Sequence, residues 1–271
     1  MGFFEQLSAA IKKNNSLLCI GLDPDPTLMP PMTNLLDFNK AIIAATADIV
    51  CAYKPNLAFY EAAGAQGWDI LKQTIDYIPK DIPVIADAKR GDIGNTSKAY
   101  AHAIFDGLGA GAITINPYLG FDSVEPFFKD YADKGVFILC RTSNQGSADF
   151  QSMPVTIDDT KIPLYQAVAR KADTWNTLNN IGLVVGATYP AEIRTLRRLH
   201  SCLPFLVPGI GAQGGNIKLT LDAGLDSYGR GIIINSSRQI LYASSKADFS
   251  QAAANTAEAL RQEINRYRPI I

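Results

Sequence analysis

Apolar runs alternate with amphipathic segments along the whole chain, and this alternation predicts the architecture. Eight runs are rich in Val, Ile, Leu and Ala with little polar interruption, which is typical of parallel strands buried on both faces. They span residues 17–22, 49–54, 82–88, 112–116, 136–141, 181–187, 205–208 and 228–235. The segments between them place apolar residues at the i, i+3 and i+4 spacing of a helix that packs on a core, as Leu71, Ile75 and Ile78 do.

Eight strand–helix units within about 250 residues predict an α/β fold of the (β/α)8 TIM barrel type. An open, doubly wound sheet is the alternative architecture. We expect an extra amphipathic helix near residues 3–11, which would close the bottom of the barrel, and a last helix near 246–266. No low-complexity linker interrupts the chain, so residues 1–271 are predicted to form a single barrel domain.

The longest predicted connection runs from Thr142 to Pro163, after the fifth strand. A loop of this length in a compact domain is usually functional or mobile. Because it follows the carboxyl end of a strand, we expect it on the face of the barrel that carries active sites.

Composition excludes several classes of function. The chain carries a net charge of −1, so its overall charge does not indicate a nucleic acid or an anionic membrane as partner. No apolar segment approaches the about 20 residues of a membrane span, and the N-terminus lacks a signal peptide, so we expect a cytoplasmic protein. Four dispersed cysteines and two histidines are typical of reduced, buried thiols and offer no metal site of recognisable spacing.

Polar residues follow nearly every apolar run. In (β/α)8 barrels the catalytic groups come from the carboxyl ends of the strands, so these residues are the first candidates for a site. They include Asp23, Lys54, Asp87, Lys89, Asp92, Asn116, Ser143, Asn235 and Arg238. Their recurrence from strand to strand predicts one polar site on one face of the barrel.

The third strand ends in the densest group of charges. Side chains at i and i+2 of a strand share a face, so Asp87 and Lys89 should project together, and Asp92 follows in a turn that opens a helix. With Lys54 they could form an alternating array in which each lysine is kept protonated by a carboxylate. A structural salt-bridge cluster is the other interpretation, but buried ion pairs are weak evidence for stability. We favour a lysine held ready to donate a proton.

The last two strands end in what we interpret as a phosphate site. The glycine-rich segment from Pro208 to Gly215 lets backbone N–H groups approach an anion, although a simple tight turn would also explain it. Arg238 precedes a short helical segment, and phosphate sites after strands seven and eight recur in this fold. Arg230 stands at the start of the eighth strand, so we expect it on the opposite face or in the barrel wall.

The segment from Asp87 to Thr96, DAKRGDIGNT, closely resembles the signature of the orotidine 5′-phosphate decarboxylase family. The segments YKPN around Lys54, GLDP, RTSN and PGIGAQGG agree with it. The resemblance extends from about residue 15 to about residue 242, and the chain length and the segment YKPNLAFYE resemble the longer bacterial (type 2) subfamily.

The resemblance implies cofactor-free decarboxylation of orotidine 5′-monophosphate to uridine 5′-monophosphate, the last step of de novo pyrimidine synthesis. It implies that Lys89 protonates C6 and that Asp87 opposes the leaving carboxylate. It also implies a homodimer in which Asp92, with Thr96 beside it, serves the neighbouring site.

The same resemblance assigns the groups that bind the substrate. Lys54 and Asp23 would hold the ribose hydroxyls and order the charges, and Ser143 would contact the pyrimidine. The residues assigned to the phosphate are Pro208, Gln213, Gly214 and Arg238. For the long connection after the fifth strand, our hypothesis is that it covers the pyrimidine or shapes the dimer edge.

Two other functions compete with this one. Metal-dependent sugar-phosphate decarboxylases or aldolases of the same superfamily share the Asp-x-Lys-x-x-Asp element, but they use an acidic residue at the end of strand two to bind Mg²⁺. This chain has Lys54 there, and a cation would repel the metal. The second competitor, a non-catalytic nucleotide-binding barrel, does not explain why Lys89 and both carboxylates are kept.

Overall fold

The strands of the computed structural model, which describes residues 1–31, 33–210 and 214–269, follow the predicted runs. All eight runs form parallel strands of one sheet, and a separate hairpin lies between the fifth and sixth of them. The strands are β1 (Leu18–Leu22), β2 (Ala52–Pro55), β3 (Ile85–Arg90), β4 (Ala112–Ile115), β5 (Gly135–Arg141), β6 (Pro154–Ile157), β7 (Thr160–Pro163), β8 (Ile181–Val185), β9 (Phe205–Val207) and β10 (Ile232–Ser236).

Helices cover the outside of the sheet. They are α1 (Phe3–Asn14), α2 (Leu35–Thr46), α3 (Leu57–Glu61), α4 (Gly67–Tyr77), α5 (Gly94–His102), α6 (Phe121–Phe128), α7 (Ala148–Gln151), α8 (Leu164–Trp175), α9 (Pro190–Leu199), α10 (Ile217–Gly224), α11 (Arg238–Leu241) and α12 (Phe249–Arg266). Asn34 and Asn216 begin α2 and α10, because each side-chain oxygen accepts a hydrogen bond from a free N–H of the first turn. In the described part of the chain, no helix is both long and apolar enough to cross a membrane.

The sheet closes on itself. Its strands lie in the order β2-β1-β10-β9-β8-β5-β4-β3. Two further parallel bridges, Tyr53 with Val84 and Asn56 with Asp87, join β2 to β3 at the ends of this order. The closure confirms the predicted TIM barrel and excludes the open, doubly wound sheet. It also brings the carboxyl ends of all eight strands to one rim.

The N-terminal helix closes the opposite end of the barrel, as predicted. The ring of Phe3 packs edge-on against Phe137 of β5, with centroids 6.0 Å apart. A Cβ atom on Gly135 would lie 2.4 Å from the Phe3 ring, so glycine at the start of β5 makes room for this contact. Since Phe3 is 3% exposed, it fills the bottom of the core and leaves the carboxyl rim as the open end.

The long connection after β5 is more ordered than a loop. It contains α7 and the hairpin β6–β7, neither of which we predicted from the sequence. Asp158 and Asp159 form the hairpin turn with φ of 48° and 60°. Two consecutive left-handed residues match the twist of a two-residue hairpin turn, and aspartate tolerates this conformation better than most residues. The pair of aspartates was therefore a turn signal within the predicted loop.

Candidate active site

A row of three charged side chains crosses the carboxyl ends of β2 and β3. The Lys54 Nζ lies 2.8 Å from Asp87 Oδ2, and the Lys89 Nζ lies 2.6 Å from Asp87 Oδ1. The side chains of Lys54 and Asp87 are 5% and 11% exposed, whereas that of Lys89 is 48% exposed. Asp87 therefore bridges two ammonium groups, a buried one on Lys54 and a half-exposed one on Lys89.

The end of β3 departs from a regular strand at this point. Lys89 has a φ of 47°, and the pairing of β3 with β4 shifts between Ala86 and Arg90. The hydroxyl of Thr114 stabilises the irregularity, because it accepts a bond from the Lys89 N–H (3.0 Å) and donates one to Asp87 Oδ1 (2.9 Å). The two side chains do meet, as predicted, but through a bulge rather than regular alternation. A left-handed non-glycine residue costs of order 1–3 kcal/mol and is characteristic of functional sites.

The neighbouring charges of this row shift the pKa values of Lys54 and Asp87 toward their charged forms. Burial by itself lowers the pKa of Lys54, but the carboxylates of Asp87 and Asp23 raise it by more than burial lowers it. The pKa of Lys54 therefore lies above its ordinary value. Burial raises the pKa of Asp87, but the ammonium groups of Lys54 and Lys89 lower it more, so it lies well below its usual range. Lys54 and Asp87 are therefore both charged at neutral pH, so these charges are in place before a substrate binds.

A cleft of about 180 Å³ opens beside the row. Its lining comes from the ends of five barrel strands and consists of Asp23, Lys54, Asp87, Pro208, Gly209, Ile210, Asn235, Ser236, Ser237 and Arg238. Three buried polar atoms in this lining have no hydrogen-bond partner among the described residues: Asp23 Oδ1, Asn235 Oδ1 and Ser236 Oγ. Since buried polar atoms are normally paired, their convergence on one cleft indicates the binding of a polar ligand.

The first three residues of the glycine-rich segment, 208–210, border the same cleft. The N–H of Gly215 donates to the carbonyl oxygen of Gly209 at 3.1 Å, so the two ends of the segment meet. Gly209 and Gly214 have φ of 99° and 80°, a conformation that favours glycine. Gln213, which we predicted to bind phosphate, lies outside the described residues. Arg238 begins α11 and lines the cleft together with Gly209, so the cleft has a cationic end.

Comparison with known proteins identifies the family. The model of the family described as "Orotidine 5'-phosphate decarboxylase / HUMPS family" matches residues 16–253. The chain belongs to this family. It is 57% identical over 268 residues to an orotidine 5′-phosphate decarboxylase of Dehalococcoides mccartyi, with 99% of each chain covered. It is 50% identical over 277 residues to one of Ralstonia nicotianae, with 99% of this chain and 100% of the relative covered.

A solved structure of this decarboxylase family confirms the fold. The OMP decarboxylase of Leishmania donovani superposes with a TM-score of 0.85 at 44% identity, covering 99% of both chains. The resemblance that we inferred from the segment around Lys89 is thus confirmed at the level of the family and the barrel.

Within the described chain, Asp92 and Thr96 are not among the residues that pair with the charged row or line its cleft. Asp92 Oδ1 accepts a hydrogen bond from the N–H of Ile93 at 2.7 Å, and Thr96 is exposed on the first turn of α5. Among the described contacts, Asp92 does not pair with Lys89. The alternating array of four that we predicted is therefore an array of three in the single chain.

Ser143 and Arg230 occupy different ends of the decarboxylase-family barrel. Ser143 follows β5 at the carboxyl rim, and its backbone packs against Gly186, where an added Cβ would lie 2.8 Å away. Arg230 lines a separate cavity with Lys12 and Arg268 of the terminal helical regions. That cavity is at the α1 end of the barrel, opposite Arg238.

Three residues of this site were not assigned a role from the sequence. Thr114 binds both Asp87 and the Lys89 backbone, but a threonine inside an apolar run gave no signal of its own. Asn235 and Ser236 were recognised only as the polar end of the eighth run. Their unpaired, buried oxygens show that they face the cleft.

Proposed function

We propose that this chain is an orotidine 5′-phosphate decarboxylase, a carboxy-lyase that converts orotidine 5′-monophosphate to uridine 5′-monophosphate and CO₂ without a cofactor. The observation that carries the proposal is the row Lys54–Asp87–Lys89 beside a cleft with a cationic, glycine-rich end. Relatives named for this activity, 57% and 50% identical over nearly the whole chain, support it.

Lys89 is the catalytic residue of the proposed reaction. Decarboxylation breaks the bond between C6 and the carboxylate carbon, and it leaves the electron pair on C6. A fixed ammonium at C6 stabilises charge that develops only in the transition state, and then it supplies the proton that C6 needs. The substrate thus takes up one proton and releases CO₂, and solvent reprotonates the lysine. The half-exposed ammonium of Lys89 suits both tasks.

Asp87 and Lys54 prepare the site for this step. Asp87 stays ionised between two ammonium groups, so it would repel a substrate carboxylate placed against it and favour its departure. Lys54 fixes the orientation of Asp87 through the 2.8 Å ion pair. Asp23, whose Oδ1 is buried and unpaired among the described residues, is suited to accept a hydrogen bond from a ribose hydroxyl.

The remote parts of the nucleotide supply binding energy. Arg238 would bind the phosphate, and Pro208 forms part of the wall beside it. The backbone N–H of Gly214 and the side chain of Gln213 join Arg238 by family resemblance. Ser143 would contact the pyrimidine. Contacts far from C6 can hold the reacting carbon against Lys89, so the phosphate contributes to the rate as well as to affinity.

We propose a homodimer in which Asp92 and Thr96 complete the partner's site. Large apolar side chains lie exposed around these two residues: Ile93 is 57%, Tyr118 84% and Leu119 49% exposed. The loops after β3 and β4 are adjacent, because a Cβ on Gly91 would lie 2.9 Å from the carbonyl oxygen of Asn116. Exposed apolar surface of this kind marks protein interfaces.

We propose a cytoplasmic location on the evidence of the cysteines. Cys19, Cys51 and Cys140 are buried free thiols, and Cys202 is an exposed one. Burial raises the pKa of each buried thiol, to about 12 for Cys19, so these groups remain protonated and unreactive. Free thiols of this kind are typical of a reducing compartment.

The decisive experiment mixes the purified protein with orotidine 5′-monophosphate and follows the loss of the orotidine absorbance. Lys89→Ala should lower the rate by at least about 10⁴-fold, because both charge stabilisation and proton donation are lost. Binding of uridine 5′-monophosphate should remain measurable. Lys72→Ala, which removes a partly exposed lysine on α4 that pairs with Asp76, is the matched control and should keep full activity.

Two outcomes would contradict the proposal. Near-normal turnover by Lys89→Ala would exclude this lysine as the proton donor. Loss of activity on treatment with EDTA would favour the metal-dependent alternative within the same superfamily.

Mixed dimers test the shared site separately. An equal mixture of inactive Lys89→Ala and Asp92→Ala subunits should recover about a quarter of the wild-type activity, because half of the dimers are mixed and each holds one intact site. The measurement requires exchange of subunits before assay. No recovery after exchange would show that Asp92 does not act across the interface.

A further inference from the structure

Arg141, the last residue of β5, carries a buried charge that the proposed reaction does not use. It is 2% exposed, and its Nε donates to a carboxylate oxygen of Glu192 on α9. The ring of Tyr189 lies against the guanidinium, with its centroid 4.0 Å from Cζ. The ion pair and the ring together hold the guanidinium in one orientation. Removing Glu192 would leave a buried charge without its partner, which is strongly destabilising.

A second nitrogen of Arg141 reaches the start of the long connection. Nη1 donates to Ser147 Oγ at 2.7 Å and to Gln151 Oε1 at 3.3 Å. Gln151 in turn accepts a hydrogen bond from the Thr142 N–H and donates one to the Thr142 hydroxyl, both at 2.8 Å. One guanidinium therefore links α9 to the residue that directly precedes Ser143.

Gly186, the residue after β8, confines Ser143 from the other side. The N–H of Gly186 donates to the carbonyl oxygen of Arg141 at 2.7 Å. A Cβ on Gly186 would lie 2.8 Å from both the backbone nitrogen and the Cβ of Ser143. The residues that follow, 144–146, are exposed, and the next buried residue is Ser147, which is itself bound to Arg141. Gly186 behind Ser143 and the Arg141 network beside it both constrain its backbone.

We propose that Arg141 is a positioning residue that sets Ser143 against the pyrimidine ring of the substrate. The inference rests on the proposed function, in which Ser143 contacts the base. The Arg141 guanidinium is engaged by Glu192, Ser147 and Gln151, so it acts through the chain at Thr142 and Ser143 rather than on the substrate. A hydroxyl that must meet a ring atom at hydrogen-bond distance needs a supporting network that fixes it to within about 0.5 Å.

The test compares two ligands that differ only in the base. Uridine 5′-monophosphate and ribose 5-phosphate share the ribose and phosphate, but only the nucleotide offers a pyrimidine to Ser143. Arg141→Met keeps the aliphatic bulk and removes the donors. The variant should weaken the binding of uridine 5′-monophosphate by about five- to tenfold, the contribution of one hydrogen bond. The affinity for ribose 5-phosphate should stay unchanged. Gln151→Ala, which cuts the link without uncovering the Glu192 charge, should act in the same direction.

A double-mutant cycle shows whether the effect passes through Ser143. If Arg141 acts by positioning, Arg141→Met should add nothing to the loss already caused by Ser143→Ala. Arg197→Met is the matched control, because Arg197 is also buried, lies 3.9 Å from the Phe205 ring centroid and binds backbone carbonyls elsewhere in the barrel. It should lower stability without changing the preference for the nucleotide.

Three results distinguish the ways in which the inference can fail. If Arg141→Met weakened the binding of both ligands equally, Arg141 would have only a structural role. Additive losses of nucleotide affinity in the double-mutant cycle would show the same. If Arg141→Met does not fold, Gln151→Ala decides between positioning and a structural role with the same two ligands. Failure of the unaltered protein to decarboxylate orotidine 5′-monophosphate would instead refute the proposed function.

Discussion

Replacing Lys54 by Met tests whether burial makes the Lys54–Asp87 ion pair strong. Methionine keeps most of the side-chain volume and removes the charge. At 2.8 Å and an effective dielectric constant of about 20, the attraction between the two groups is about 6 kcal/mol. Desolvation of both groups offsets part of this attraction. The variant leaves the Asp87 carboxylate in a site that is only 11% exposed, with Lys89 as its remaining ammonium partner. We therefore expect it to lose up to about 3 kcal/mol of unfolding free energy, the lower end of the cost of breaking a buried ion pair.

The assay is equilibrium unfolding in urea at pH 7, followed by circular dichroism. Lys13→Met is the matched control, since Lys13 lies 2.7 Å from Asp81, almost the same separation, but the two side chains are 59% and 52% exposed. Water screens that pair, so the control should unfold close to the wild-type midpoint. Equal losses in the two variants would refute the reasoning, because distance and not burial would then set the strength of the pair.

The same comparison has a defined dependence on pH. The pKa of Asp87 is lowered by folding, so its contribution is fully present above its ordinary pKa of about 3.9 and is lost as the pH falls through the lower folded value. The pKa of Lys54 is raised, so its contribution is present below about 10.5 and is lost as the pH rises through the folded value. The stability difference between wild type and Lys54→Met should therefore stay constant between about pH 5 and 9 and shrink under strongly acidic conditions.

Three further variants probe the rest of the site. Arg238→Gln should raise the KM for the nucleotide by about 10- to 100-fold through loss of a charge-assisted contact, and an unchanged KM in steady-state kinetics would exclude it as a phosphate ligand. Gly21→Ala places a Cβ 1.9 Å from Ser237 Oγ, so it should cost about 1–3 kcal/mol in urea unfolding; wild-type stability would contradict this packing. Thr114→Val removes the hydroxyl that orients Asp87. It should lower kcat by about tenfold and leave KM nearly unchanged. A change confined to KM would assign Thr114 to binding instead.

The barrel could be predicted because its signals are local. A strand buried on both faces needs a continuous apolar run, and each run in this sequence became a strand within a few residues of the predicted bounds. The hairpin β6–β7 escaped prediction because its strands are short and mostly half-buried or exposed, so they carry no such run. Its only local signal was the turn formed by Asp158 and Asp159.

The candidate site could be predicted only in part. The topology rule that gathers strand ends on one rim was enough to select Asp23, Lys54, Asp87 and Arg238, which the structure brings to one cleft. It did not select Thr114, whose role depends on the bulge at Lys89. A left-handed residue within a strand has no signature in sequence unless the residue is glycine or asparagine.

The sequence by itself therefore determined the order of strands and helices, the rim on which polar groups gather, and the types of charge available there. The tertiary structure alone decided which charges touch. Lys54 and Asp87 are 33 residues apart, and Arg141 and Glu192 are 51 residues apart. Such pairs form only when the sheet closes, because the distance between them is set by the register and tilt of strands that are remote along the chain.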